Sequence, residues 1–187
     1  MTGEGAKEGA SSVPVSGVPY VPSSAQPVTE WSEAIFRELC DWASAHVGRW
    51  ERWDPDYLVL TIDTHKGLAV EPVVIDTFED ELTVTFGYWE TLLPEDGIHD
   101  DTDSRRAAVA ARALASDWLE GRIATAVYFA GDKWCGSRMI EANEDYQSRI
   151  ADIEWIKNLG PKRVELRWAD RSRLTHFTLS NGHLVSP

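Results

Sequence analysis

The sequence predicts an α+β fold: an antiparallel or mixed sheet of about six to seven strands, with two main helices and one short helix on one face. Three observations carry this expectation. Short runs of β-branched and aromatic residues alternate with polar ones, as half-buried strands do. Two longer stretches repeat apolar residues at helical spacing. Turn residues join most strand candidates directly, so hairpins outnumber crossovers, which favours antiparallel pairing with helices to one side.

Residues 1–27 read as a flexible arm, because VPVSGVPYVPSSAQP holds four prolines and neither a helical nor a strand period. Its valines and tyrosine are free to dock on the body or on a partner. Residues 28–187 read as a single α+β domain. Thr29 is a good N-cap, and Glu30 and Glu33 in the first turn suit the helix dipole. Trp31, Ile35, Leu39, Trp42 and His46 then form an apolar stripe that predicts a helix over 29–48, closed by Gly48.

The charged stretch RWERWDPD reads as an irregular connection. YLVLTID, VVIDTF and ELTVTFGYWETLL read as strands. In the last, Leu82, Val84, Phe86 and Tyr88 are expected on one face, and Thr83, Thr85, Gly87 and Trp89 on the other. PEDGIHDDTD reads as a polar loop. Asp103 or Ser104 caps an alanine-rich helix with Ala107, Ala110, Leu114 and Trp118 on one face and Gly121 at its end. ATAVYFAGDKWCGSRMIEA predicts a hairpin turning at Gly131 and Asp132, followed by a short helix over about 144–158. KRVELRWADRSRLTHFTLSNGHLV closes the chain as strands. No repeat of fixed period occurs.

A chain of 187 residues, 43% hydrophobic, fits one domain with a tail. Cys40 and Cys135 are too few for a disulfide framework. Two reduced thiols in a cytoplasmic protein are expected, with a single buried disulfide as the alternative. No stretch approaches the roughly 20 apolar residues of a membrane span, and the N-terminus lacks the pattern of a general secretory signal. The net charge of −13 is unevenly spread: residues 29–104 hold 19 acids against four bases, while residues 105–187 hold 10 acids against 13 bases. Such a field repels nucleic-acid phosphates and attracts basic surfaces. Solubility alone is the plainer explanation of an acidic chain, and the clustering is what favours a basic partner.

The motifs of phosphate, dinucleotide, serine-hydrolase and zinc-protease sites are absent, so no metal or cofactor is predicted. Glu95, Asp96, Asp100, Asp101 and Asp103 lack the ladder spacing of an EF-hand and read as a solvated acidic loop. His46, His65, His99, His176 and His183 show no local metal spacing. Glu90 beside Trp89 is the best lone candidate for acid–base chemistry, and an enzyme of that type needs a pocket joining it to a second titratable group such as His176. The nine tryptophans are more telling. Trp31, Trp42 and Trp118 sit on helical stripes, whereas Trp50 and Trp53 lie in the charged connection and Trp89 on a threonine face. These three are either indoles packed under loops or anchors of an interface.

The stretch ELTVTFGYWETLL, an acidic loop and the helix ending DWLEGRIATAVYF resemble small acidic bacterial immunity proteins of polymorphic toxin systems, over residues 81–130. The resemblance implies a non-catalytic binding protein that blocks a toxin by covering it. Charge and resemblance together make the first expectation a cytoplasmic acidic protein that masks a basic protein partner. The expected contact residues are Trp50, Trp53, Trp89, Glu90, Glu95, Asp96, Asp100 and Asp101. A small carboxylate enzyme, and an assembly component of a phage or secretion system, are the alternatives. Oligomeric state is not fixed by the sequence.

Overall fold

The computed structural model describes residues 17–22, 27–54, 56–64, 72–93, 103–142, 145–180 and 183–185. The fold is α+β, with two antiparallel sheets in place of the single sheet expected. The first is a six-stranded meander in sequence order: β1 (Val18–Pro19), β2 (Arg49–Trp53), β3 (Tyr57–Ile62), β4 (Val73–Asp76), β5 (Leu82–Phe86) and β6 (Trp89–Leu93). The second has five strands. They are β7 (Ile123–Ala130), β8 (Lys133–Glu141), β9 (Arg163–Arg167), β10 (Thr175–Ser180) and β11 (His183–Val185), in the order β11-β10-β9-β7-β8. Helix α1 (Glu30–Ala45) follows β1, α2 (Asp103–Leu119) separates the two sheets in sequence, and α3 (Tyr146–Ala151) lies within the second half.

Two departures from expectation have clear physical causes. RWERW is a strand, because the chain turns back after Trp53 and all five residues pair with β3. Its charged residues hid the strand, although only Arg49 is exposed and the other four are half-buried. ELTVTFGYWETLL is two strands joined by Gly87 and Tyr88, both left-handed, at φ 53° and 68°. A two-residue turn with positive φ at both centres matches the twist of the flanking strands. Glycine at the first centre is a usual signal, but tyrosine at the second masks it.

Helix α1 begins as its sequence dictates. The Thr29 hydroxyl accepts the Ser32 N–H at 3.1 Å. Ser32, Ile35, Leu39 and Ala43 form the buried face. They cover Leu60, Ile62, Val73, Ile75, Leu82, Val84 and Phe86 of the first sheet. Helix α2 lies beside α1 and buries Ala107, Ala108, Ala111, Ala115 and Trp118, while Ala110 faces solvent and Leu114 is only half-buried. Its alanines allow close approach to the sheet, and Trp118 stacks on Phe86 at 4.7 Å between ring centroids.

The second sheet builds its own core on one face, where Ala124, Ala126, Tyr128, Ile140, Val164, Leu166, Phe177 and Leu179 meet Ile150 and Ile156. The helices therefore serve different sheets and do not share one face of one sheet. β7 is buried from Ile123 to Phe129, the unbroken apolar pattern of a strand covered on both sides. The halves meet at the β5–β6 turn. A Cβ at Gly87 would fall 2.7 Å from the Trp118 ring and 3.1 Å from Thr125 Oγ1, so the turn approaches as closely as glycine permits. There the Ser137 hydroxyl donates to the Tyr88 carbonyl, and the Arg167 guanidinium lies 4.2 Å from the Tyr88 ring centroid.

Candidate protein-binding surface

The unequal charge of the sequence becomes a difference between the sheets. Among the described residues, the stretch 17–93 holds 13 carboxylates and three arginines. Each of those arginines is already paired locally, Arg37 with Glu33, Arg49 with Asp63 and Arg52 with Asp56. The described residues of 123–185 hold nine lysines and arginines against seven acids. There Glu165 is nearly buried between Arg163 and Arg167. Burial alone would raise its pKa, but the bonds and charges of the two arginines win and hold it below the ordinary 4.5.

On the acidic sheet, three aromatic rings form a ridge beside a strained turn. Trp53 and Tyr57 are cross-strand partners that close the β2–β3 hairpin, with ring centroids 6.5 Å apart. Tyr57 meets Phe78 edge-on at 5.0 Å. Phe78 is 42% exposed, high for a phenylalanine. It starts the 3-10 turn Phe78–Asp80, in which Glu79 and Asp80 are both left-handed, at φ 53° and 58°. Glutamate does not adopt this backbone freely and costs on the order of 1–2 kcal/mol there, whereas aspartate tolerates it more readily. The strained turn displays Glu79, Asp80 and Glu81 to solvent directly beside the ridge.

Carboxylates also line the base of the ridge. Asp76 accepts the Phe78 N–H at 2.8 Å, yet burial pushes its pKa above the ordinary range. The Tyr57 phenol is raised by burial first, then by Asp76 and Asp54. A group whose folded pKa is raised favours the folded state below its unfolded pKa and loses that contribution as pH climbs through the folded one. Ionised Asp76 is therefore a cost at neutral pH. Asp76→Asn keeps the acceptor for Phe78 and removes the desolvated charge. It should raise stability at pH 7 by under about 1 kcal/mol and flatten the acid side of the stability profile. Urea unfolding across pH checks this, and a loss above about 1 kcal/mol would mean that the carboxylate makes a favourable contact of its own.

The residues singled out from the sequence fall in different places. Trp53 belongs to the ridge, and its indole N–H faces Glu51 at 3.4 Å. Trp50 is half-buried against the first core and meets Phe36 edge-on at 5.2 Å; its N–H finds no partner among the described residues. Trp89 is half-buried, 5.2 Å from Phe86. Glu90 is exposed on β6 opposite Thr85. Glu95, Asp96, Asp100 and Asp101 lie outside the described residues. Tyr57, Phe78, Glu79, Asp80 and Glu81 were not singled out. Phe78 reads as the end of a strand, and no sequence signal announces a left-handed Glu-Asp pair.

A cavity of about 750 Å³ opens where the C-terminal ends of α1 and α2 meet the end of β3 and the turn after β9. His46, Asp63, Thr64, Glu120, Asp170 and Arg171 are among its lining residues, and neither Glu90 nor His176 is. His176 sits instead on β10, its Nδ1 3.9 Å from Glu165. Among the described residues no three His, Cys, Asp or Glu side chains gather as a metal site, and no helix is long and apolar enough to cross a membrane. Compared with protein-family models, curated proteins and solved structures, the chain matches none.

Proposed function

We propose that this protein is an acidic binding module that masks a basic protein partner with the Trp53–Tyr57–Phe78 ridge and its carboxylates. The observation that carries the reading is the strained turn. The chain spends backbone energy at Glu79 to hold acids beside an exposed phenylalanine, in a stretch whose described cations are already paired. Aromatic rings give an interface its apolar anchors, while surrounding carboxylates steer a basic partner and pair with its lysines or arginines. The likeness of residues 81–130 to immunity proteins suggests a toxin as that partner, and the cytoplasm as the place of encounter.

The partner is first recovered from native lysate at low salt and purified. Phe78→Ala should then weaken its binding at least about 10-fold, chiefly through faster dissociation. Asp80→Lys should slow association instead. Raising ionic strength from about 0.1 to about 1 M shortens the Debye length from about 10 to about 3 Å and should slow association further. Surface plasmon resonance reads both rates. Affinity unmoved by either substitution would remove the ridge from the interface, and association indifferent to salt would remove the electrostatic role.

A further inference from the structure

The outer edge of β2 is covered by very little chain. β3 pairs with all five β2 residues, whereas β1 pairs with two, Glu51 and Arg52. One of the two covering residues is Pro19, which has no N–H for the ladder. The cover is anchored by Tyr20, whose N–H donates to the Trp50 carbonyl at 2.9 Å. Its ring meets Phe36 edge-on at 5.2 Å, and its hydroxyl donates to Glu33 at 2.7 Å. Gly17 crosses Trp53 so closely that a Cβ there would fall 2.0 Å from the indole nitrogen. One short segment thus hides a sheet edge and one side of the ridge tryptophan.

We infer that the β2 edge is a strand-addition site. An extended segment of the partner protein takes the place that residues 17–20 hold in this structure. It sets an aromatic side chain in the Phe36–Trp50 notch and basic side chains beside Glu33 and Glu51. The basic character rests on the function proposed above; the strand addition does not. An edge strand is a ready template for another chain, and main-chain pairing supplies affinity while side-chain notches supply selectivity. A partner strand that matched all five β2 residues would form more main-chain bonds than β1 does. Trp53 belongs to both edge and ridge, so a chain bound at the edge runs directly onto the ridge.

The test uses a fluorescent peptide copying residues 13–22 and the full-length chain carrying Tyr20→Ala. The substitution removes the anchor and frees the edge. By fluorescence anisotropy, the variant should bind the peptide saturably, and the unsubstituted protein at least about 10-fold more weakly, because its own segment competes. A peptide with alanine in place of its tyrosine should not bind. Should Tyr20→Ala disturb the fold by circular dichroism, Gly17→Val frees the edge by collision with Trp53, and the same results are expected. No binding to either variant, or equal binding to variant and unsubstituted protein, overturns the strand-addition site. Self-association of the variants without peptide binding assigns the edge to a second copy and likewise overturns it. A second peptide carries added lysines at both ends. Tighter, salt-sensitive binding of that peptide supports a basic partner, and equal binding of the two peptides overturns the basic character alone.

Discussion

Trp118→Ala is expected to cost about 3–5 kcal/mol of stability, the largest single effect in this chain. Trp118 is fully buried, stacks on Phe86, and is touched by the β5–β6 turn at Gly87. It fills the corner where α2, the first sheet and β7 converge. Truncation there removes a large apolar surface and leaves a cavity that few neighbours can fill. The alanines at 107, 108, 111 and 115 carry no side chain long enough to swing in. Gly87 cannot close the gap by shifting its side chain, since it has none. Trp118→Phe should cost far less. The indole N–H finds no partner among the described residues, so phenylalanine keeps most of the apolar contact and removes a buried orphan donor. Urea unfolding of the two variants checks the pair of values. A loss below about 1 kcal/mol for alanine would mean that the halves hold together without this wedge.

How far the sequence revealed the fold depends on whether local chemistry had one reading. The start of α1 was legible, because a threonine cap, two first-turn acids and an apolar stripe agree with one another, and the Thr29–Ser32 bond realises them. The division into two sheets was not legible. It depends on α2 carrying the chain away from β6 so that β7 pairs with β8 and β9, which is a choice made by packing. The β5–β6 turn had a further consequence. A continuous strand puts residues 86 and 89 on opposite faces, but a two-residue hairpin makes them partners on the same face. Trp89 therefore packs beside Phe86 and is not on the threonine face. At the candidate site, Trp53 was legible as a tryptophan among charges. Phe78 and its left-handed neighbours were not, since their exposure and strain arise from the tertiary anchoring of one preceding residue.

That residue is Thr77, and Thr77→Val should lose about 2–3 kcal/mol while loosening the ridge. Thr77 is fully buried at the end of β4. Its hydroxyl donates to the Leu58 carbonyl at 3.0 Å and accepts the Leu58 N–H at 2.9 Å. With its one proton committed, it accepts from the Ser32 hydroxyl at 2.6 Å, and Ser32 accepts from Thr29 at 2.9 Å. The relay Thr29 to Ser32 to Thr77 to Leu58 thus ties the cap of α1 to β3 and to the residue that precedes the strained turn. Such chains polarise each bond, and the loss of one link is felt by the rest. Valine matches threonine in shape but leaves the Leu58 N–H without its side-chain acceptor and the Ser32 hydroxyl without its own. The Leu58 carbonyl keeps the Thr77 N–H at 3.1 Å, which limits the damage. Thr77→Ser retains the hydroxyl and should cost under about 1 kcal/mol. Hydrogen exchange separates the relay from simple packing: the Leu58 amide should lose protection in Thr77→Val and keep it in Thr77→Ser. Unchanged protection in the valine variant would show that the turn holds Phe78, Glu79 and Asp80 in place without the relay. Other contacts within the fold would then offset the strain at the candidate surface.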